Sequence, residues 1–245
     1  MIEMNFLGSP QIFVDGQVVT PSVGRKEIAL LAYLSVQRAG VLREKLADLL
    51  WSELVEGGAR QNLRQALYSL NSKLPGVIEA RRRSAFIALS PNALGGTDIY
   101  QMEGLLQAES FEAACALYRG TFLEGLALNR AAAFEEWLSE QQHTYERLAL
   151  EALEQALALA TQRHDDRAQQ LYARRIIALD PLREEAYQQL MLALARVGGF
   201  NEAMQVYEQC IQTLRRELNV SPMPETTAVY EGVLLARARS RPSHL

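Results

Sequence analysis

Ala59-Arg60-Gln61-Asn62-Leu63-Arg64-Gln65-Ala66-Leu67-Tyr68-Ser69-Leu70-Asn71-Ser72-Lys73-Leu74 carries two patterns at once. Leu63, Leu67, Leu70 and Leu74 recur at spacings of four, three and four, which marks one face of an α-helix. The opposite face holds Gln61, Gln65, Tyr68, Ser69 and Ser72, with Arg60, Asn62, Arg64 and Lys73 on its flanks. No Asp or Glu occurs from Arg60 to Lys73. A solvated helix usually mixes both charge signs, so an acid-free polar face favours a polyanionic partner. Asn and Gln match adenine edges, Arg matches guanine, and Ser and Tyr reach phosphates. The bland alternative is an exposed helix that is merely rich in Gln and Ser. Its neighbours decide between the two.

Immediately upstream, Leu42-Arg43-Glu44-Lys45 opens a shorter helix, with Leu46, Leu49, Leu50 and Trp51 apolar. Arg43 either touches a phosphate at that helix start or faces solvent as a first-turn residue. Gly57-Gly58 reads as a break between the two helices. Further back, Ile28, Leu31, Ala32, Leu34 and Val36 mark another helix, which Gly40 ends. The first twenty residues read as short strands. Ile2, Met4 and Phe6 alternate with polar residues, and Asp15-Gly16 separates Ile12-Phe13-Val14 from Gln17-Val18-Val19, a strong hairpin signal.

Downstream, Pro75-Gly76 stops the long helix, and Val77-Ile78 and Phe86-Ile87-Ala88-Leu89 read as two strands around Arg81-Arg82-Arg83-Ser84. A triple-arginine tip beside such a helix is suited to phosphates or a minor groove. The stretch from Ser90 to Gly96 contains Pro91, Gly95 and Gly96, and it sets a domain boundary at about residue 97. Residues 1–98 carry 11 Lys and Arg against 9 Asp and Glu, a balance of +2, whereas residues 99–245 carry 14 against 20, a balance of −6. A mildly basic front and an acidic back fit a nucleic-acid module joined to a protein-facing one.

Beyond the boundary the pattern is helical, over about 99–107, 110–118, 131–161, 165–179, 183–197, 201–217 and 224–238. Ala168, Tyr172, Ile176 and Leu179 recur 35 positions later as Ala203, Tyr207, Ile211 and Leu214. A repeat of about 34 residues with a small residue followed by an aromatic is the tetratricopeptide pattern. The expected fold is therefore mainly α. An α+β winged helix-turn-helix domain over residues 1–96 precedes an all-α tetratricopeptide-like domain over residues 97–245.

Several functions lack support in the sequence. No apolar run is long enough to span a membrane, and the N-terminus lacks a basic stretch before an apolar core, so a cytoplasmic location is expected. Cys115 and Cys210 read as buried thiols. His143, His164 and His244 form no metal-spaced cluster, and there is no phosphate-cradling glycine loop. Neither an enzyme nor a cofactor is expected.

The order of elements carries a resemblance. Leu7-Gly8 early, Leu46-Ala47-Asp48-Leu49-Leu50-Trp51, Ala59-Arg60-Gln61-Asn62-Leu63 and the closing Leu70…Lys73-Leu74 resemble the OmpR-type winged helix. Leu117-Tyr118-Arg119-Gly120-Thr121-Phe122-Leu123-Glu124-Gly125, followed by Phe134-Glu135-Glu136-Trp137-Leu138, resembles the bacterial transcriptional activator domain. Together they look like the Streptomyces antibiotic regulatory protein (SARP) family. The resemblance implies an activator that binds double-stranded DNA at direct repeats near promoters as a side-by-side homodimer and recruits RNA polymerase. It further implies that the Ser52–Gly58 loop touches polymerase. The chain departs from the pattern at Ala85-Phe86, where relatives carry Gly before the aromatic, and at Asn71-Ser72, where relatives often carry arginines. The DNA-binding candidates are thus Arg43, Arg60, Asn62, Arg64, Gln65, Tyr68, Ser69, Ser72, Lys73, Arg81, Arg82 and Arg83. The helical repeats offer room for a peptide or small-molecule effector. The competing reading is an interaction scaffold whose repeats hold a partner peptide and whose winged helix has lost DNA contact.

Overall fold

Alternating burial at the N-terminus produces the sheet that the sequence predicts. In the computed structural model, which describes residues 1–54, 56–79 and 85–240, strands β1 (Ile2–Asn5), β2 (Gln11–Val14) and β3 (Gln17–Val18) form an antiparallel sheet in that order. Asp15 and Gly16 both take positive φ, 50° and 79°, so the hairpin closes with Val14 opposite Gln17. Helix α1 (Arg25–Gln37) follows, with Ile28, Leu30, Leu31 and Leu34 buried. It ends at Arg38, whose φ is 54°, two residues before the expected Gly40.

Strand β4 (Val41–Leu42) precedes α2 (Arg43–Trp51) and was not expected. It pairs with β6 (Phe86–Leu89), which pairs with β5 (Ile78–Glu79), giving the order β4-β6-β5. Helix α3 spans Glu56–Lys73, so it begins before the Gly57-Gly58 pair that the sequence reads as a break. Glycines in a first turn cost little there, because that turn's amides have no intrahelical partners to lose. The buried stripe of α3 is Ala59, Leu63, Ala66, Leu70 and Leu74. Leu67 is only half-buried.

The chain divides into two compact units, Met1–Ala149 and Leu150–Leu245. Three features account for this. First, Ser90 and Pro91 act as N-cap and first-turn proline of a short helix α4 (Pro91–Gly95), where the sequence suggested a linker. Second, the next helix, α5 (Asp98–Gln107), starts with a buried carboxylate. Asp98 is 1% exposed and accepts from the backbone N–H of Phe6 and of Leu7, each at 2.9 Å, and from the Arg119 guanidinium at 2.7 Å. Burial pushes the Asp98 carboxyl up, and these donors oppose that shift. Third, after α6 (Phe111–Leu117) the segment 119–124 pairs with residues 6–8. Arg119 N–H donates to Leu7, Leu123 N–H to Phe6 and Glu124 N–H to Gly8. The two stretches that carry the family resemblance, Leu7-Gly8 and Leu117–Gly125, are thus hydrogen-bonded to each other. Phe122 then joins an aromatic cluster with Trp137, Phe134, Tyr145 and Tyr33 at centroid distances of 4.8–5.9 Å.

Gly96 is a close-approach position in this unit. Met4 N–H donates to Gly96 O at 2.9 Å, and a Cβ on Gly96 would run into the Ile2 carbonyl oxygen. Gly96→Ala is expected to cost about 1–3 kcal/mol, as other overpacked sites do. A denaturant titration that shows no shift in midpoint would contradict the packing described.

Helix α7 (Ala132–Gln162) gives its second half to the C-terminal unit, which continues with α8 (Asp166–Leu179), α9 (Glu184–Arg196), α10 (Phe200–Glu217) and α11 (Pro224–Ser240). Helices α8 and α10 start 34 positions apart, at Asp166 and Phe200, in keeping with a repeat of about 34 residues. In this unit the buried Gln169 and Glu184 side chains are paired. Gln169 donates to the Gln189 side chain at 2.8 Å, and Glu184 accepts from Met223 N–H at 2.9 Å and Thr226 Oγ1 at 2.6 Å.

Candidate nucleic-acid interface

The exposed stripe of α3 holds Arg60, Gln61, Arg64, Gln65, Tyr68, Asn71 and Ser72. Their spacing follows from the helix period: once Leu63, Ala66 and Leu70 are buried, these positions must face outward. Tyr68 is 80% exposed.

Arg60 and Arg64 also reach a second feature. With Leu42, Arg43, Glu44, Leu63 and Ala85 they line a cleft of about 350 Å3 at the start of α2. The backbone N–H of Arg43 donates to Ala85 O at 2.9 Å, which fixes the start of α2 against the base of the second sheet. Helix α2 has no side-chain cap. Its first amides therefore favour negative charge. Three arginines and one glutamate line the cleft, and the Glu44 carboxylate accepts from Arg60 at 2.8 Å. Both partners are more than half exposed, so the pair holds Arg60 only weakly.

The remaining candidates on α3 lie elsewhere. Asn62, Gln65 and Ser69 line a cleft of about 490 Å3 with Gly24, Arg25, Lys26 and Trp51, so this flank of α3 faces the start of α1. Lys73 Nζ donates to Glu27 Oε2 at 2.9 Å, and Ser69 lines the same cleft as Glu27. The structure thus brings together Arg43, Arg60 and Arg64, and it places Gln65, Tyr68 and Ser72 on the same open face. Asn62, Ser69 and Lys73 are half-buried toward α1. Arg81, Arg82 and Arg83 lie outside the described residues.

Sequence reading overlooked Glu27 and Glu44, because neither falls within the acid-free stretch. Glu27 did carry a signal: it stands three residues after Gly24, the spacing of a capping box, and its carboxylate accepts from Gly24 N–H at 2.8 Å. Burial alone would raise the Glu27 pKa, but the Ser69 hydroxyl and the bonds from Lys73 and Gly24 outweigh it and hold the carboxyl below its ordinary range. Among the described residues no cluster of His, Cys, Asp and Glu is arranged to hold a metal ion, and no helix is long and apolar enough to cross a membrane.

Two small sheets and three helices, one with an open polar face, give a winged-helix-like N-terminal part, and helical repeats follow it. The chain belongs to the bacterial transcriptional activator domain family, whose model matches residues 103–234. A solved structure, Mycobacterium tuberculosis EmbR in complex with a low affinity phosphopeptide, is similar at 23% identity with a TM-score of 0.63. That match covers 98% of this chain, which spans 66% of the EmbR chain, and at such identity it shows the fold. A search of curated proteins finds no match. Family and fold together make the chain a transcriptional regulator of the SARP type, as the resemblance of Leu117–Gly125 and Phe134–Leu138 implied.

Proposed function

We propose that this chain is a cytoplasmic, sequence-specific activator that lays α3 in the major groove of double-stranded DNA. In this reading residues 1–96 bind DNA and residues 97–245 form the activator domain. The observation that carries it is the continuity of the Arg43–Arg60–Arg64 cleft with the open polar face of α3. A phosphate at the uncapped start of α2 would meet backbone amides and guanidiniums together. It would displace Glu44 from Arg60 at little cost, because that pair is exposed. The adjacent Gln65 and Tyr68 would then face base edges and sugar-phosphate.

The family resemblance supports the finer points: binding at direct repeats as a side-by-side homodimer, and contact with RNA polymerase through the loop around Ser52–Leu54, which is exposed. A peptide or small-molecule effector fits a cleft of about 560 Å3 in the C-terminal unit, floored by Leu157, Ile176 and Ala186. Titration of the purified chain against DNA upstream of its own gene, with footprinting at two salt concentrations, tests the reading. The expected result is a protected pair of direct repeats whose affinity falls steeply with salt, each neutralised phosphate adding about 0.9 to the slope of log K against log salt. No protection at low salt, together with capture of a peptide by the repeats, would favour the scaffold reading.

A further inference from the structure

We propose that Glu27 is the positioning residue of α3, and that Ser69 and Lys73 serve Glu27 rather than DNA. This rests on the reading of α3 as the DNA-contacting helix. Ser69 and Lys73 are four residues apart, so they share one side of α3; Lys73 Nζ donates to the Glu27 carboxylate at 2.9 Å, and Ser69 lines the cleft beside it. Glu27 is 8% exposed, and its carboxylate also accepts from Gly24 N–H, so one group closes the start of α1 and holds the last turns of α3. Helix α1 is a fixed reference, since it buries Ile28, Leu30, Leu31, Tyr33 and Leu34 in the core. A helix that reads bases must hold its tilt closely, because base-edge hydrogen bonds tolerate little displacement. Near the other end of α3, Ala59 and Leu63 are buried. At this end the ionic tie adds a directional contact to the packing of Leu70 and Leu74.

The assignment inverts the expectation for Lys73. A lysine that meets a phosphate releases a counterion, and its loss flattens the salt slope by about one. A lysine already neutralised by a half-buried tie changes the fit of the helix and leaves the slope unaltered.

The test uses the full chain with Glu27→Gln, Lys73→Met, the double variant and Lys73→Arg. Hydrogen exchange on the DNA-free protein reads the tie itself. Amides at 25–28 and 70–74 are expected to exchange faster in both single variants, while α2 keeps its protection. Titrations with the cognate fragment and with a scrambled one read the consequence. Cognate affinity is expected to fall about tenfold, with loss of preference over the scrambled fragment and an unchanged salt slope. The double variant is expected to be no worse than either single, and Lys73→Arg to restore both readouts. If Glu27→Gln fails to fold, Lys73→Met and Lys73→Arg carry the test alone. A slope reduced by about one in Lys73→Met with unchanged exchange would place Lys73 on a phosphate and overturn the proposal. Unchanged exchange with unchanged affinity overturns it as well. Faster exchange in a chain whose wild type binds no fragment would refute DNA reading itself, leaving α3 nothing to position.

Discussion

Asp98→Ala is expected to destabilise the Met1–Ala149 unit by about 3 kcal/mol, the lower end of the cost of breaking a buried ion pair. The carboxylate is 1% exposed and takes three partners: the backbone N–H groups of Phe6 and Leu7 and the Arg119 guanidinium. Truncation leaves two buried amides unsatisfied, and each such loss costs about 1–3 kcal/mol. Arg119 is partly solvent-accessible, so it recovers hydration and limits the damage. At about 2–4 °C per kcal/mol for a unit of this size, the melting temperature should fall by roughly 10 °C. Asp98→Asn keeps one acceptor and is expected to lose less. Thermal melts followed by aromatic circular dichroism are a suitable readout, because Phe122, Phe134, Trp137 and Tyr145 cluster in the same unit. A melting curve for Asp98→Ala that overlays the wild type would mean that residues 6–8 and 119–124 hold together without this carboxylate.

Arg64→Ala and Gln65→Ala are expected to produce the largest change in DNA recognition. A side chain paired with a base edge contributes about 1–3 kcal/mol of discrimination, so each loss should relax preference at one position of the site. Arg64 has a second option, since it also lines the cleft with Arg43 and Arg60. If it bonds a phosphate from there, its loss weakens all sequences alike and flattens the salt slope by about one. Gln65 carries no charge and has no such option. Selection of bound sites from a random pool, with wild type and each variant, separates the cases. Intact affinity and intact preference in both variants would remove α3 from the interface.

Much of the fold was legible because it is local. The hairpin at Asp15-Gly16 and the spans of α7 to α11 depend on turn chemistry and on periods that neighbouring residues carry. The open face of α3 was legible for the same reason: burying Leu63 and Leu70 leaves Arg60, Arg64, Gln65 and Tyr68 outside. Some readings failed on weaker local signals. Gly57-Gly58 looked like a stop but lies in a first turn, where a helix tolerates glycine.

The sequence by itself determined most of the helices, the N-terminal hairpin and that one helix presents a polar, acid-free face. Only the tertiary structure decided what meets that face and where the chain divides. Glu44 and Glu27 come from other helices to occupy Arg60 and Lys73, so a stretch free of acid in the chain is not free of acid in space. Asp98 binds Phe6 across 92 positions, which carries the first unit past the Pro- and Gly-rich stretch to Ala149. The physical reason is range. Periodicity records how a side chain sits relative to its own backbone, whereas hydrogen bonds and ion pairs between distant segments form only once the elements are packed, and they leave no spacing in the chain.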